Sequence, residues 1–385
     1  MYNFDELIER RNTDSLKWDK IKDEDMLPMW VADMDFKAPP AVVEALIERA
    51  SHGIYGYAEL QDSYYQAVID WLERRYNWQV KQEWIFTSPG VVPALHILVR
   101  ALTKPGDKVI IQSPVYYPFF EVVENNGRHV LNNTLVYDGK RYRMDYQELE
   151  KQLDSRVKLM ILCNPHNPVG RVWAAEELRR LGKICVENGI VVIADEIHSD
   201  LVFAGHEHQV FTTLATEFKE NSIVCNAASK TFNLAGVQTS NIIIPNPKLR
   251  TAFQHGLDQT GIERPNVFAI TALKAAYNHG EQWLEDLLLY LQENLKFLLS
   301  YIQKNIPQVE IIEPEGTYLV WLDFRNLGLE DRELDSLLRN EAKLFLNPGH
   351  IFGAGGSGFQ RLNIACPRSR LKEGLARLAE VINRY

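Results

Sequence analysis

From about Ala41 to His279, short and almost wholly apolar runs alternate with longer amphipathic ones, and no other feature of the sequence restricts the fold as much. A strand that is apolar along its length must be buried on both faces, which a parallel sheet covered by crossover helices provides. The clearest strand candidates are Asp107–Gln112, Val157–Cys163, Ile190–Glu196, Ser222–Ala227 and Ser240–Pro245, each followed by turn or polar residues. Residues 41–280 therefore read as a large α/β domain whose mostly parallel sheet is flanked by helices.

At 385 residues the chain exceeds the size at which one core usually stops growing, so a second, smaller domain is expected. Leu and Phe recur at three- and four-residue steps from Trp283 to Asn305, predicting a long helix that joins the two. Beyond it the sequence predicts a strand pair around Gly316–Phe324, a helix through Leu334–Glu341 and a final helix over Leu371–Arg384. The N-terminal arm is expected to return to this unit, giving a discontinuous small α/β domain of residues 1–40 and 281–385.

Hydrophobic residues at 46% and charged residues at 24% are ordinary globular usage, which argues against a disordered or fibrous chain. A net charge of −9 offers no basic field for nucleic acid or anionic membranes. The first residues, Met1–Arg11, mix acids and bases and do not read as a secretory signal, and no run is long and apolar enough to span a bilayer. The four cysteines Cys163, Cys185, Cys225 and Cys366 are scattered without metal-binding spacing. A cytoplasmic enzyme with reduced thiols, and with no metal, is the expectation.

The strongest chemical signal is Asn226–Gly236, NAASKTFNLAG, which sets Lys230 just past a strand end among small residues that leave room for a planar cofactor. A lysine amine forms a Schiff base with an aldehyde cofactor, and pyridoxal 5′-phosphate is the one expected here. By itself the motif also reads as one surface lysine among many. Thirty-five residues earlier, Asp195 ends an apolar run and is followed by Glu196, Ile197 and His198. A carboxylate on the pyridine nitrogen keeps that nitrogen protonated and makes the ring an electron sink, the role expected of Asp195; a helix cap or loop carboxylate is the alternative.

Asn164–Gly170, NPHNPVG, closes the preceding strand with two Pro turns, a rigid loop from which Asn167 is expected to donate to the cofactor's phenolic oxygen; a plain tight turn is the alternative. Thr87–Leu95 reads as a turn opening a helix, and Gly90, Val91 and Val92 are its expected phosphate cradle. Tyr116, after another strand, is expected to stack on the pyridine ring, unless it is a core aromatic. Arg361 follows the glycine-rich loop Gly353–Gly358, and its planar guanidinium suits a substrate carboxylate; a surface ion pair is the bland alternative.

With Tyr116, Asn167, Asp195, Lys230 and Arg361 in this order, the sequence resembles the fold-type I pyridoxal-phosphate enzymes of the aspartate aminotransferase superfamily over nearly its whole length. Trp30–Phe36 (WVADMDF), Tyr55-Gly56-Tyr57, Asp195–His198 and SKTFNLAG are similar to the cystathionine β-lyase, or C–S lyase, branch. The resemblance implies a homodimer in which Tyr57 of one subunit reaches the cofactor phosphate of the other. It also implies that Val31, Ala32 and Asp33 lie near the substrate. Two positions depart from the aminotransferase pattern: His198 replaces a common tyrosine, and Gln238 takes the place of a phosphate-binding arginine. Ser229 and the backbone cradle then hold more of the phosphate.

The activity implied is β-elimination from a small sulfur amino acid, with Lys230 removing the Cα proton and a thiol, pyruvate and ammonia as products. An aminotransferase shares every cofactor contact and is the nearest alternative. A regulatory protein that keeps the fold and acts through a binding partner is the other.

Overall fold

The computed structural model describes residues 2–262 and 264–384. Its centre is a seven-stranded sheet in the order Ile85–Ser88, Ser240–Ile243, Ser222–Asn226, Val191–Asp195, Val157–Cys163, Lys108–Ile111, His129–Asn132. Every neighbouring pair is parallel except those made by Ser240–Ile243, which runs antiparallel to both neighbours. The other six strands therefore point their carboxyl ends to the same edge.

Side chains alternate across this sheet, as the pleat requires. Ile110, Met160, Leu162, Val192, Ala194, Val224 and Ile243 join the core on one face. Val109, Ile111, Ile161, Ile193, Ile223 and Ile242 join a second core, closed by the helices Val91–Leu102 and Pro247–Asp258. Because both faces are covered, the central strands need apolar residues at every position, which is why their sequences read as unbroken runs.

All five strand candidates form, each within a residue or two of the expected bounds. The two strands not anticipated, Ile85–Ser88 and His129–Asn132, are the edges of the sheet. There, half-exposed residues replace the apolar run that marks a central strand.

A second, four-stranded antiparallel sheet is ordered Glu310–Ile312, Leu319–Asp323, Phe359–Asn363, Asn347–Pro348. Of the strand pair expected around Gly316–Phe324, one strand, Leu319–Asp323, lies there; it pairs on one side with Glu310–Ile312 and on the other with the strand carrying Arg361. The helix Glu281–Asn305 precedes this sheet, and Arg368–Ile382 ends the chain. Where one helix was expected over Leu334–Glu341, an α-helix at Asp331–Ser336 runs into a π-helical turn at Leu337–Glu341. In the N-terminal arm, Leu27–Pro28 pairs in parallel with Leu344–Phe345, and Met29 accepts a hydrogen bond from the Asn363 N–H. Among the described residues no helix is long and apolar enough to cross a membrane, and the four cysteines are free and buried.

Candidate active site

The carboxyl ends of the parallel strands are where an open α/β sheet presents a ligand site. In this chain the loops leaving those ends carry Gly90–Val92, Tyr116, Asn167, Asp195–His198 and Ser229–Lys230. They converge on a cavity of about 220 Å³, also lined by Trp30, Val31, Ala32, Tyr117, Gln238, Thr239, Asn347 and Arg361. The second sheet closes it, since Arg361 stands in the middle of Phe359–Asn363 and the Trp30–Ala32 segment lies against that strand.

Lys230 stands at the cavity wall, and its Nζ donates to the Ala32 carbonyl at 2.7 Å. The Tyr318 hydroxyl donates to that carbonyl too, at 3.0 Å. Burial pulls the Lys230 amine down to about 8; Asp33 opposes that effect and Arg361 reinforces it. An amine in that range is uncharged for a useful fraction of the time near neutral pH, which a proton acceptor requires.

Asp195 is the last residue of Val191–Asp195 and is 5% exposed. Its Oδ1 accepts from the Ile197 N–H at 3.2 Å. Burial raises its carboxyl to about 7, with that hydrogen bond and Lys230 pulling the other way. A carboxylate so placed is stabilised by a cationic N–H donor, the kind of group a protonated pyridine presents.

Arg361 is 3% exposed, and burial lowers its guanidinium to about 10. Its Nη1 donates to Asn167 Oδ1 at 2.8 Å, and its Nη2 to the Trp30 carbonyl at 2.9 Å and to Asn347 Oδ1. Phe352 lies under the guanidinium, 4.9 Å from ring centroid to Cζ. Three of five N–H donors are thereby committed, which fixes the fork and leaves the Nε–H and one Nη1–H for a ligand. Because Asn167 accepts from Arg361 through Oδ1, its Nδ2 is free to donate in another direction.

His198 Nδ1 and Arg361 Nε, buried on residues lining the cavity, have no hydrogen-bond partner among the described residues. His198 is held neutral, pulled to about 3 by burial and then by the charges of Lys230 and Arg361, and its ring meets that of Tyr318 edge-on at 6.1 Å. Burial lifts the Tyr116 phenol to about 12, so it stays protonated. At the opposite end, the helix Val91–Leu102 begins directly after Gly90. The first N–H groups of a helix lack intrahelical partners, and that end carries the positive pole of the helix.

The donor set thus fits pyridoxal 5′-phosphate: an amine for the aldehyde, a buried carboxyl for the ring nitrogen, an amide beside it, and unpaired N–H groups for the phosphate.

Two expected residues stand apart. Tyr57 is fully exposed and does not line the cavity. Asp33 does not line the cavity; its carboxylate pairs with Arg10 at 2.9 Å, and its carbonyl accepts from Asn363 Nδ2. Asn347 and Tyr318 escaped the sequence reading. Asn347 sits in an Asn-Pro-Gly stretch that reads as a plain turn, and Tyr318 within a core strand run.

Residues 24–378 match the family model for aminotransferase class I and II. The chain is 46% identical over 386 residues to cystathionine beta-lyase PatB of Bacillus subtilis (strain 168), across 99% of this chain and 100% of that protein. Cystalysin from Treponema denticola, whose crystal structure contains a pyridoxal 5′-phosphate cofactor, is 36% identical with a TM-score of 0.97, covering 100% of this chain and 99% of that one. The PLP-bound C-S lyase from Staphylococcus hominis is 34% identical with a TM-score of 0.94, covering 99% and 98%.

Proposed function

The chain belongs to the aminotransferase class I and II family, and from that premise we propose that it is a pyridoxal-phosphate-dependent carbon–sulfur β-lyase. Its substrate is L-cystathionine or a related cysteine S-conjugate, cleaved to a thiol, pyruvate and ammonia. The observation that carries this reading is the partly neutral Lys230 amine facing one cavity with Asp195 and Arg361. The relatives named for cystathionine and carbon–sulfur cleavage supply the reaction class.

When bound, pyridoxal phosphate supplies the aldehyde that condenses with an amine and the ring that disperses negative charge from Cα. Asp195 would hold the ring nitrogen and Asn167 Nδ2 the phenolic oxygen, with Tyr116 and His198 available to the ring, and Gly90, Val91, Val92, Ser229 and Gln238 would hold the phosphate. Arg361 grips the substrate carboxylate with its two uncommitted N–H donors, which turns Cα toward Lys230. The Lys230 amine, held by the Ala32 carbonyl, takes the Cα proton in its neutral form. The wall formed by Trp30, Val31 and Tyr117 excludes water from that transfer.

Tyr57 belongs to the partner's site in a homodimer. That reading is supported by its full exposure and by the exposure of the apolar residues Val43, Ile47, Ile54 and Tyr55 in the segment that precedes it. The chain divides into a large domain, 41–280, and a small one of 1–40 and 281–385, with the cavity between them. A cytoplasmic location is supported by four free thiols.

Lys230→Ala tests the assignment. We expect loss of thiol release from L-cystathionine together with the cofactor's visible absorption. Retention of both, or strict dependence of turnover on 2-oxoglutarate, would overturn it.

A further inference from the structure

Lys230 is carried by a helix of only four residues, Ala228–Thr231. So short a helix has little stability of its own, because its first turn fixes several residues for one hydrogen bond. The direction in which it presents Lys230 is therefore set by tertiary contacts. Thr231, next to the lysine, is fully buried, and its hydroxyl donates to Asp200 Oδ2 at 2.7 Å.

Asp200 is 2% exposed and lies five residues beyond Asp195, in the turn that leaves the same strand. Its Oδ1 accepts from the Tyr76 phenol at 2.5 Å, and Tyr76 is the last residue of the helix Asp62–Tyr76. A phenol has one proton, so in the 2.9 Å contact between Tyr76 and Ser199 Oγ the serine donates. Ser199 Oγ in turn accepts from Asn226 Nδ2 at 3.3 Å, and Tyr277 donates to Asn226 Oδ1 at 2.8 Å. Asn226 ends the strand that leads into Lys230. The Asp200 carboxylate thus holds the lysine's segment on both sides, at Thr231 directly and at Asn226 through Tyr76 and Ser199. Arg75, with Nε 3.8 Å from Oδ1, supplies the countercharge.

None of these groups lines the cavity, so they touch neither substrate nor cofactor. A carboxylate suits the node because it only accepts; an amide in its place would turn an N–H toward one of the two donors. We propose that Asp200 is a positioning residue for Lys230, fixing the one-turn helix through Thr231 and so setting where the amine meets its reaction partners. This rests on Lys230 being the cofactor-bearing lysine.

The test uses the cofactor-loaded enzyme and Thr231→Val, which removes the hydroxyl with little change in volume. Absorbance of the bound cofactor is titrated against pH, and kcat and KM are measured alongside. A displaced amine predicts a roughly ten- to hundredfold fall in kcat, a KM within about twofold of the parent, and an absorbance midpoint moved by about half a pH unit or more. Thr231→Ser, which keeps the donor, is expected to restore both. If Thr231→Val does not fold, Tyr76→Phe removes the other donor and is expected to move the midpoint in the same experiment. Parental kcat and midpoint in whichever of these variants folds, with only the melting temperature changed, would overturn the proposal. The titration needs no substrate, so it reports on Lys230 even if carbon–sulfur cleavage proves not to be the reaction. A parent whose cofactor absorption survives Lys230→Ala would instead refute the lysine assignment itself.

Discussion

Lys230 is an expensive residue to fold around, and replacing it with methionine in the cofactor-free protein is expected to stabilise the fold. Its amine falls from 10.5 to about 8 on folding, chiefly through burial. At about 1.4 kcal/mol per pH unit, holding that amine protonated at pH 7 costs roughly 3 kcal/mol. The amine borders an open cavity, where water screens part of the charge, and the variant loses the hydrogen bond to Ala32, worth about 1 kcal/mol. The net gain is then about 1–2 kcal/mol, or roughly 2 °C in Tm for a chain of 385 residues. The sign follows from a basic group whose folded pKa is depressed. The penalty is complete below about pH 8, shrinks as pH rises toward 10.5, and vanishes above it. Urea melts of both proteins, stripped of cofactor, at pH 7 and pH 10 measure it. A variant less stable than the parent at pH 7, or a difference that does not change with pH, would refute the reasoning.

Asp195→Asn should act in the opposite pH direction. The carboxyl rises from 3.8 to about 7 through burial, so its ionisation destabilises the cofactor-free fold as pH climbs through that interval. The asparagine variant should gain on the parent by up to roughly 4 kcal/mol between pH 4 and pH 8 in denaturant melts, yet lose about a hundredfold or more in kcat once loaded with cofactor. Arg361→Lys gives up the planar fork held by Asn167, Trp30 and Asn347; steady-state thiol release should show kcat/KM down by about 1.5–3 kcal/mol, or roughly 10- to 150-fold, with most of the change in KM. Gly170→Ala places a Cβ 2.5 Å from the Pro314 side chain at a backbone φ of +73°, and thermal melts should show a loss of about 1–3 kcal/mol.

Much of the site was legible because it follows a structural regularity. A parallel strand with both faces covered announces itself as an apolar run, and the polar residue that breaks the run stands at the sheet edge where ligands bind. Asp195 ends such a run, and Asn167 and Lys230 stand in the motifs four residues beyond the ends of two others. The edge strands Ile85–Ser88 and His129–Asn132 lack the run because one side faces partly polar surroundings. Asn347 and Tyr318 were missed because their importance lies in contacts with Arg361 and with the Ala32 carbonyl, from segments remote in sequence. Asp33 does not line the cavity; its charge acts on Lys230, while its side chain is taken up by Arg10. The Asp200 node was hidden for the same reason: Thr231 and Tyr76 meet it only once the fold is formed.

The most direct test of carbon–sulfur β-elimination is to incubate the cofactor-loaded enzyme with L-cystathionine, omitting any 2-oxo acid, and to follow thiol and pyruvate together. Both are expected, in equal amounts. No product until a 2-oxo acid is added would contradict it and identify amino-group transfer instead.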